Sequence, residues 1–145
     1  MKAYILVQTE VGASTAVELG RRVSRGEMIA IAGDRVPVSA GKTVSVPFLG
    51  SPADFPVGGY VLASLLGCPL LMLGCIREGE GHLVRFEMLA ADVTLPRGRR
   101  EERLQELAAL FAHRLEALLV RAPYEWFNFF PFWAQRAGCR PVNSA

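Results

Sequence analysis

The chain has 145 residues, 16 Lys and Arg against 14 Asp and Glu, and a formal net charge of +2. That length holds one domain with a real core rather than two ordinary ones, and so small a charge makes no general case for a nucleic-acid partner. With 51% hydrophobic residues and a positive mean hydropathy, part of the surface is expected to be apolar or lipid-facing.

The amino terminus lacks the charged, apolar and small-residue blocks of a signal peptide. Ala3 to Gln8, AYILVQ, reads as a first strand. Val11 to Arg22 forms a short helix, with Ser14 or Thr15 as caps. Glu18 and Arg22, spaced i, i+4, support it. The stretch Gly26 to Asp34, GEMIAIAGD, is the one the chain is organised around. Its apolar run, Met28 to Ala32, predicts a strand buried on both faces. Gly33 allows a sharp turn, and Asp34 and Arg35 fall just past the strand's carboxyl end. Ligand groups collect at that edge in open α/β sheets. Val36 to Thr43 is a polar loop, Val44 to Phe48 a short extended piece, and Gly50 to Pro56 a turn-rich loop. The whole Pro- and Gly-punctuated stretch from Ser45 to Gly59 is placed to cover the site.

Val57 to Ile76 carries no charge, and its length would suit a membrane span. Gly67-Cys68-Pro69 interrupts it, because Pro69 removes a backbone donor and biases Cys68 away from helix. We therefore read a buried helix, Tyr60 to Leu66, and a buried strand, Leu70 to Ile76. Cys68, Cys75 and Cys139 form an odd set without metal spacing. They read as reduced thiols in a cytosolic or cytosol-facing chain. Glu78-Gly79-Glu80-Gly81 makes a hairpin turn. In the strand His82 to Met88, His82, Val84, Phe86 and Met88 share one face and Leu83, Arg85 and Glu87 the other, so it is half-exposed.

Arg99 to Arg121 is the clearest helix, with Leu104, Leu107, Ala108, Phe111, Leu115 and Leu118 at helical spacing. Glu101 and Glu102 favour its amino end, and Pro123 stops it. Tyr124 to Trp133, YEWFNFFPFW, has seven aromatics in ten positions. The element order predicts an α/β fold: a mixed central sheet with helices on both faces, a long C-terminal amphipathic helix and an aromatic tail.

GEMIAIAGDR, VPFLGSPADFPVGG, the apolar helix and strand ending in Arg77, the long helix and PYEWFNFFPFW together resemble a known family. In order and spacing they are similar to the carboxyl-terminal half of bacterial lipid A biosynthesis (lauroyl/myristoyl) acyltransferases, within the lysophospholipid acyltransferase superfamily. The resemblance covers about residues 24 to 135. It divides the chain into an N-terminal strand-helix segment of uncertain origin at 1–23, an acyltransferase-like region at 24–137 and a tail at 138–145. It implies transfer of a fatty acyl group from an acyl carrier protein or coenzyme A thioester to a lipid-type acceptor, at the cytosolic surface of the inner membrane. No cofactor or metal is implied.

By resemblance, Asp34 matches an Asp that closes a strand, followed in the family by Gln where this chain has Arg35. Phe48-Leu49-Gly50 with Pro52-Ala53 matches a Phe-Gly-x-Pro/Ala loop beside the acceptor and acyl groove. Arg77 matches a basic residue after the next strand, and the tail a segment reading Trp-x-x-x-Arg-Phe. These assign Asp34 a supporting catalytic role and Arg35, Phe48, Gly50 and Arg77 a substrate-binding one. The family's catalytic His-x4-Asp/Glu belongs upstream, where this chain has no histidine. The expectation is a truncated, degenerate or fragmentary copy.

His82 and Glu87 read His-x4-Glu, but an offset of five on a strand places them on opposite faces. They stand about 17 Å apart along the chain, beyond the hydrogen-bond reach a base and its orienting acid need. His113, with Glu116 at i+3, is expected to form a surface pair. Other roles stay open. Asp34 either orients a ligand or caps its turn. Arg77 either meets a phosphate or is solvated. Arg97, Arg99 and Arg100 either meet anionic headgroups or an acidic carrier, or form a solvated helix start. Trp126, Phe129, Phe130 and Trp133 either pack on the core or contact a partner or membrane interface.

Two further readings stand beside the enzyme. One is an acyltransferase-like module that binds lipid or a partner without turnover. The other is a small-ligand-binding oligomer, since MKAYILVQTEVG resembles the opening strand of feast/famine (leucine-responsive type) regulators. The βαββαβ order of those regulators does not follow it.

Overall fold

A computed structural model describes residues 3–5, 13–36, 41–129 and 132–135. In chain order it has strand β1 (Ala3–Ile5), helix α1 (Ala13–Ser24), strands β2 (Met28–Ala30), β3 (Thr43–Phe48) and β4 (Ser51–Pro56), and helix α2 (Gly58–Leu66). Strands β5 (Leu70–Glu78) and β6 (Gly81–Ala90), helix α3 (Arg100–Arg121) and a short 3-10 turn at Phe132–Gln135 complete it. The fold is mixed α/β, as the element order predicts. Parallel and antiparallel pairing both occur, but among the described residues the pairs stand as three two-stranded sheets in place of one continuous central sheet.

β1 and β2 run parallel around α1. Helix α1 carries the expected Glu18–Arg22 pair at 3.1 Å, and Arg22 also reaches Glu27 at 3.2 Å. The helix begins at Ala13, so Ser14 and Thr15 lie inside its first turn rather than at its cap. The organising strand is shorter and more open than its composition suggests. β2 ends at Ala30 and all three of its residues are half-buried, because β1 is its one strand neighbour among the described residues.

The stretch expected to be a covering loop is instead a hairpin. β3 and β4 pair from Thr43↔Pro56 to Phe48↔Ser51, and Pro47 faces Pro52 across the ladder. A two-stranded ribbon tolerates these prolines where the missing N–H points away from the partner strand. Val46, Phe48, Ala53 and Phe55 turn inward and are buried, while Ser45, Pro47 and Pro52 face out. Leu49 and Gly50 make the two-residue turn with φ of 50° and 81°, the pattern of a type I′ hairpin.

α2 ends where expected. Gly67 takes the left-handed conformation (φ 59°), and its N–H bonds the Ala63 carbonyl. β5 and β6 form the predicted hairpin through a turn with Gly79 at φ 61°. β5 is buried on one face only: Met72 and Ile76 point in while Leu71, Leu73 and Cys75 point out.

α3 joins the two ribbons. Its Leu104, Leu107, Ala108, Ala112 and Leu119 pack in one core with β3, β4 and α2. Its Leu118 and Ala122 pack with Met72 and Ile76 of β5 in a second. Phe111 and Leu115 touch both. The helix lies so close to β5 that a Cβ on Gly74 would stand 2.4 Å from Leu118 Cδ1. Among the described residues no helix is long and apolar enough to cross a membrane.

Candidate functional site

Phe48 closes β3 and is fully buried. Four rings surround it: Phe55 at 5.3 Å and Trp126 at 5.4 Å edge-to-face, Phe132 at 5.5 Å tilted, and Trp133 at 6.2 Å stacked. Such offset and edge-to-face geometries are the ones the ring quadrupole favours. The aromatic tail thus folds back onto the tip of the β3–β4 hairpin. Of its residues expected at a membrane or partner, Trp126 and Trp133 join this cluster, Phe129 projects outward at 91% exposure, and Phe130 lies outside the described residues.

Asp34 stands at the rim of this cluster. The Trp126 indole Nε1 donates to its Oδ2 at 2.9 Å, a bond between residues far apart in sequence. The half-buried Asp34 therefore anchors the tail. Its Oδ1 has no donor among the described side chains, which leaves it able to accept a hydrogen bond from a hydroxyl or to orient a cation. Just before it, a Cβ on Gly33 would meet the Phe111 ring at 2.7 Å. Gly33 lies in the bend that follows β2, as read from sequence, and its bare Cα lets that bend press against α3.

The hairpin tip is held from the other side. Leu49 is the one non-glycine with positive φ among the described residues, a conformation that costs a side-chain-bearing residue about 1–2 kcal/mol. Its N–H donates to the Glu116 carboxylate of α3. Trp133 Nε1 reaches the Phe48 carbonyl at 3.5 Å. A strained backbone fixed by a carboxylate from a distant helix is the kind of feature that marks a functional surface. Leu49 is 46% exposed, so the tip presents an apolar side chain and a glycine, Gly50, beside the aromatic wall.

Asp34, Phe48, Gly50, Trp126 and Trp133 are therefore linked through one cluster, and the other predicted residues are not part of it. Arg35 is exposed next to Asp34. Arg77 lies across the ladder from His82 at the turn end of β5–β6, exposed and without an ion pair among the described residues. Arg97 and Arg100 are exposed. Arg99 is held by Glu102 through two bonds of 2.8 and 2.9 Å. The side-chain bond and the charge of Glu102 raise the Arg99 pKa, and those of Arg99 lower that of Glu102. The shallow depression there, lined by Thr94, Pro96, Arg99, Arg103 and Glu106, is edged by arginines already paired with carboxylates.

Neither histidine approaches Asp34 through any hydrogen bond. His82 is exposed on the outer face of β6, while Glu87 is on the inner face, bound by Arg85 and Arg114; the His-x4-Glu spacing brings no pair together. His113 is exposed on α3, and the surface pair expected for it with Glu116 is replaced by the Glu116–Leu49 bond. Sequence reasoning missed Glu116, Leu49 and Phe111 as site residues. The Leu-Gly pair between two alternating runs was a usable hairpin signal; nothing local ties residue 116 to residue 49.

The sequence profile of the bacterial lipid A biosynthesis acyltransferase family matches residues 13–135. The chain belongs to that family. The match takes in α1, the Asp34 strand end, both antiparallel ribbons, α3 and the tail cluster. It begins ahead of residue 24, inside the amino-terminal segment set apart from the sequence. No curated protein matches the chain.

Proposed function

We propose that the chain forms the substrate-facing part of an acyl-transfer site, moving a fatty acyl group from a carrier-protein or coenzyme A thioester to a glycolipid-type acceptor at a membrane surface. The observation that carries this reading is the Asp34–Trp126 bond at 2.9 Å. It holds a carboxylate, whose second oxygen has no side-chain donor among the described residues, beside an aromatic wall and the strained Leu49–Gly50 tip. Asp34 orients the acceptor hydroxyl, directly or through Arg35, and the wall lies along an apolar chain. Arg77, Arg97 and Arg100 meet anionic groups of donor, acceptor or the surrounding lipid.

Acyl transfer also needs a base to take the acceptor proton and donors to stabilise the tetrahedral oxyanion. The exposure of His82 and His113, neither of them bonded to Asp34 among the described residues, favours a second reading, a member of the family that binds acyl donor or lipid without turnover. A regulator-like small-ligand oligomer through β1 is the weaker alternative, since β1 already pairs with β2 of the same chain.

Thiol release from both thioester types, with a glycolipid acceptor dispersed in detergent, separates these readings. Release abolished by Asp34→Ala and kept by His82→Ala supports the acyl-transfer reading. Binding of the thioester without release supports the binding module. Release lost with His82→Ala would contradict the strand geometry.

A further inference from the structure

The outward face of the β5–β6 ribbon is apolar where a solvated sheet face is ordinarily polar. The register sets Leu71 opposite Met88, Leu73 opposite Phe86 and Cys75 opposite Val84. Leu73, Phe86 and Met88 are 55%, 55% and 56% exposed. Three successive cross-strand apolar pairs make a continuous patch, of the kind that marks an interaction surface.

The same face ends in a cation, Arg77, and a histidine. The next pair toward the turn is Arg77 opposite His82, both exposed. The carboxylates of the two strands lie elsewhere: Glu78 is taken by Arg121 at 2.8 Å, and Glu87 turns inward to Arg85 and Arg114. Glu80 sits in the turn beyond the ladder. A face with apolar pairs, a cationic end and no carboxylate does not complement a second copy of itself, because nothing on the copy meets Arg77. It does complement a surface that is apolar beneath and anionic on top.

We infer that this face rests on an anionic lipid bilayer, with the three apolar pairs in the headgroup–acyl boundary and Arg77 and His82 among the phosphates. Neither strand has a second neighbour among the described residues, so both outer edges need water for their backbone groups. The ribbon therefore lies in the interface, where water remains, and does not cross. The inference rests on the lipid-acceptor reading above by naming the surface that brings the site to its substrate, and it is tested without turnover.

Cys75 is exposed in the middle of the patch. An environment-sensitive fluorophore is placed there after Cys68→Ala and Cys139→Ala. Vesicles of phosphatidylcholine with phosphatidylglycerol are expected to shift its emission to the blue, and vesicles of phosphatidylcholine alone to bind more weakly. In the unlabelled chain, Phe86→Glu weakens vesicle sedimentation about tenfold or more, Arg77→Gln about fivefold, and Phe129→Glu leaves it unchanged. Leu73→Gln repeats the Phe86 test with a milder change, and circular dichroism checks both folds. The inference is overturned by no vesicle binding, by binding with no shift at Cys75, by loss with Phe129→Glu, or by a lipid-free dimer that Phe86→Glu dissociates. A Cys75 shift produced by a soluble acyl thioester without vesicles would also overturn it, in favour of a single-chain groove. Failure of thiol release in the detergent assay, with vesicle binding intact, would count against the acyl-transfer reading alone.

Discussion

The β3–β4 and β5–β6 ribbons are both antiparallel, both lie against α3, and treat their apolar residues differently. β3–β4 alternates: Val46, Phe48, Ala53 and Phe55 are buried, and Ser45, Pro47 and Pro52 face water. Its shape is complete within the chain. In β5–β6 the strand β5 is apolar on both faces: α3 covers one, where Met72 and Ile76 meet Leu118 and Ala122, while β6 sets Arg85 and Glu87 on that same side. The alternating ribbon gives its tip to the candidate site, and the second ribbon keeps an apolar outer face exposed. Two-sided apolarity in a strand thus reports that two faces are meant to leave water, not that the chain itself covers both.

The sharpest way to break this comparison is to truncate one ring on each ribbon. Phe48→Ala removes a fully buried side chain that contacts four other rings, and is expected to cost about 3–5 kcal/mol. Phe86→Ala removes one from the outward face and should stay within about 0.5 kcal/mol in the absence of lipid. Urea unfolding of the two variants measures both. Equal losses would mean that the outer face is already covered in solution.

A smaller effect probes how closely α3 sits on its neighbours. Gly33→Ala drives a methyl into the Phe111 ring, 2.7 Å from its nearest carbon, and overpacking of this kind costs about 1–3 kcal/mol. Gly74→Ala meets the mobile end of Leu118 at 2.4 Å, which can rotate away, so its cost should be the lower. The melting temperatures rank the two. The reverse order would place the rigid contact at Gly74.

The two turns extend the contrast. β5–β6 turns with Gly79 at positive φ, whereas β3–β4 forces Leu49 into that region. Leu49→Gly should stabilise the fold by about 1 kcal/mol if relief of strain prevails, while thioester binding weakens through loss of the exposed leucine. Paired denaturation and binding measurements test this. A destabilised Leu49→Gly would show that the Glu116 bond depends on the leucine side chain and not only on its N–H.

Much of this was legible in the residues. The period-3.6 pattern of α3, the Gly67-Cys68-Pro69 break and the Glu78–Gly81 turn appear where sequence places them, and the quoted motifs pointed to the family whose profile matches. The β3–β4 hairpin was not read, because Pro47, Pro52 and Gly50 look like loop punctuation until the ribbon shows which side their missing donors face. The lateral reach of the site was not readable either. Asp34 to Trp126 and Glu116 to Leu49 join residues whose nearness is set by how α3 and the tail return over the hairpin, and no local spacing encodes that.

The least effect concerns a polar atom left in the better-packed region. Tyr60 is buried in the β3–β4 core, and its hydroxyl has no hydrogen-bond partner among the described residues. Burial pushes its pKa well above the ordinary tyrosine value. An unpaired buried hydroxyl costs free energy that a phenyl ring does not, so Tyr60→Phe should leave stability unchanged or raise it by about 1 kcal/mol. Above the ordinary tyrosine pKa, near 10, the unfolded chain releases this proton while the folded chain keeps it. The unfolded state then binds fewer protons, and stability falls as pH rises. Phe at this position removes that slope. Denaturation of both proteins at neutral and at alkaline pH should show the variants converging at neutrality and separating in favour of Tyr60→Phe in alkali. A destabilised Tyr60→Phe at neutral pH would mean that the hydroxyl does have a partner, and that the core around the site is polar where the packing makes it dry.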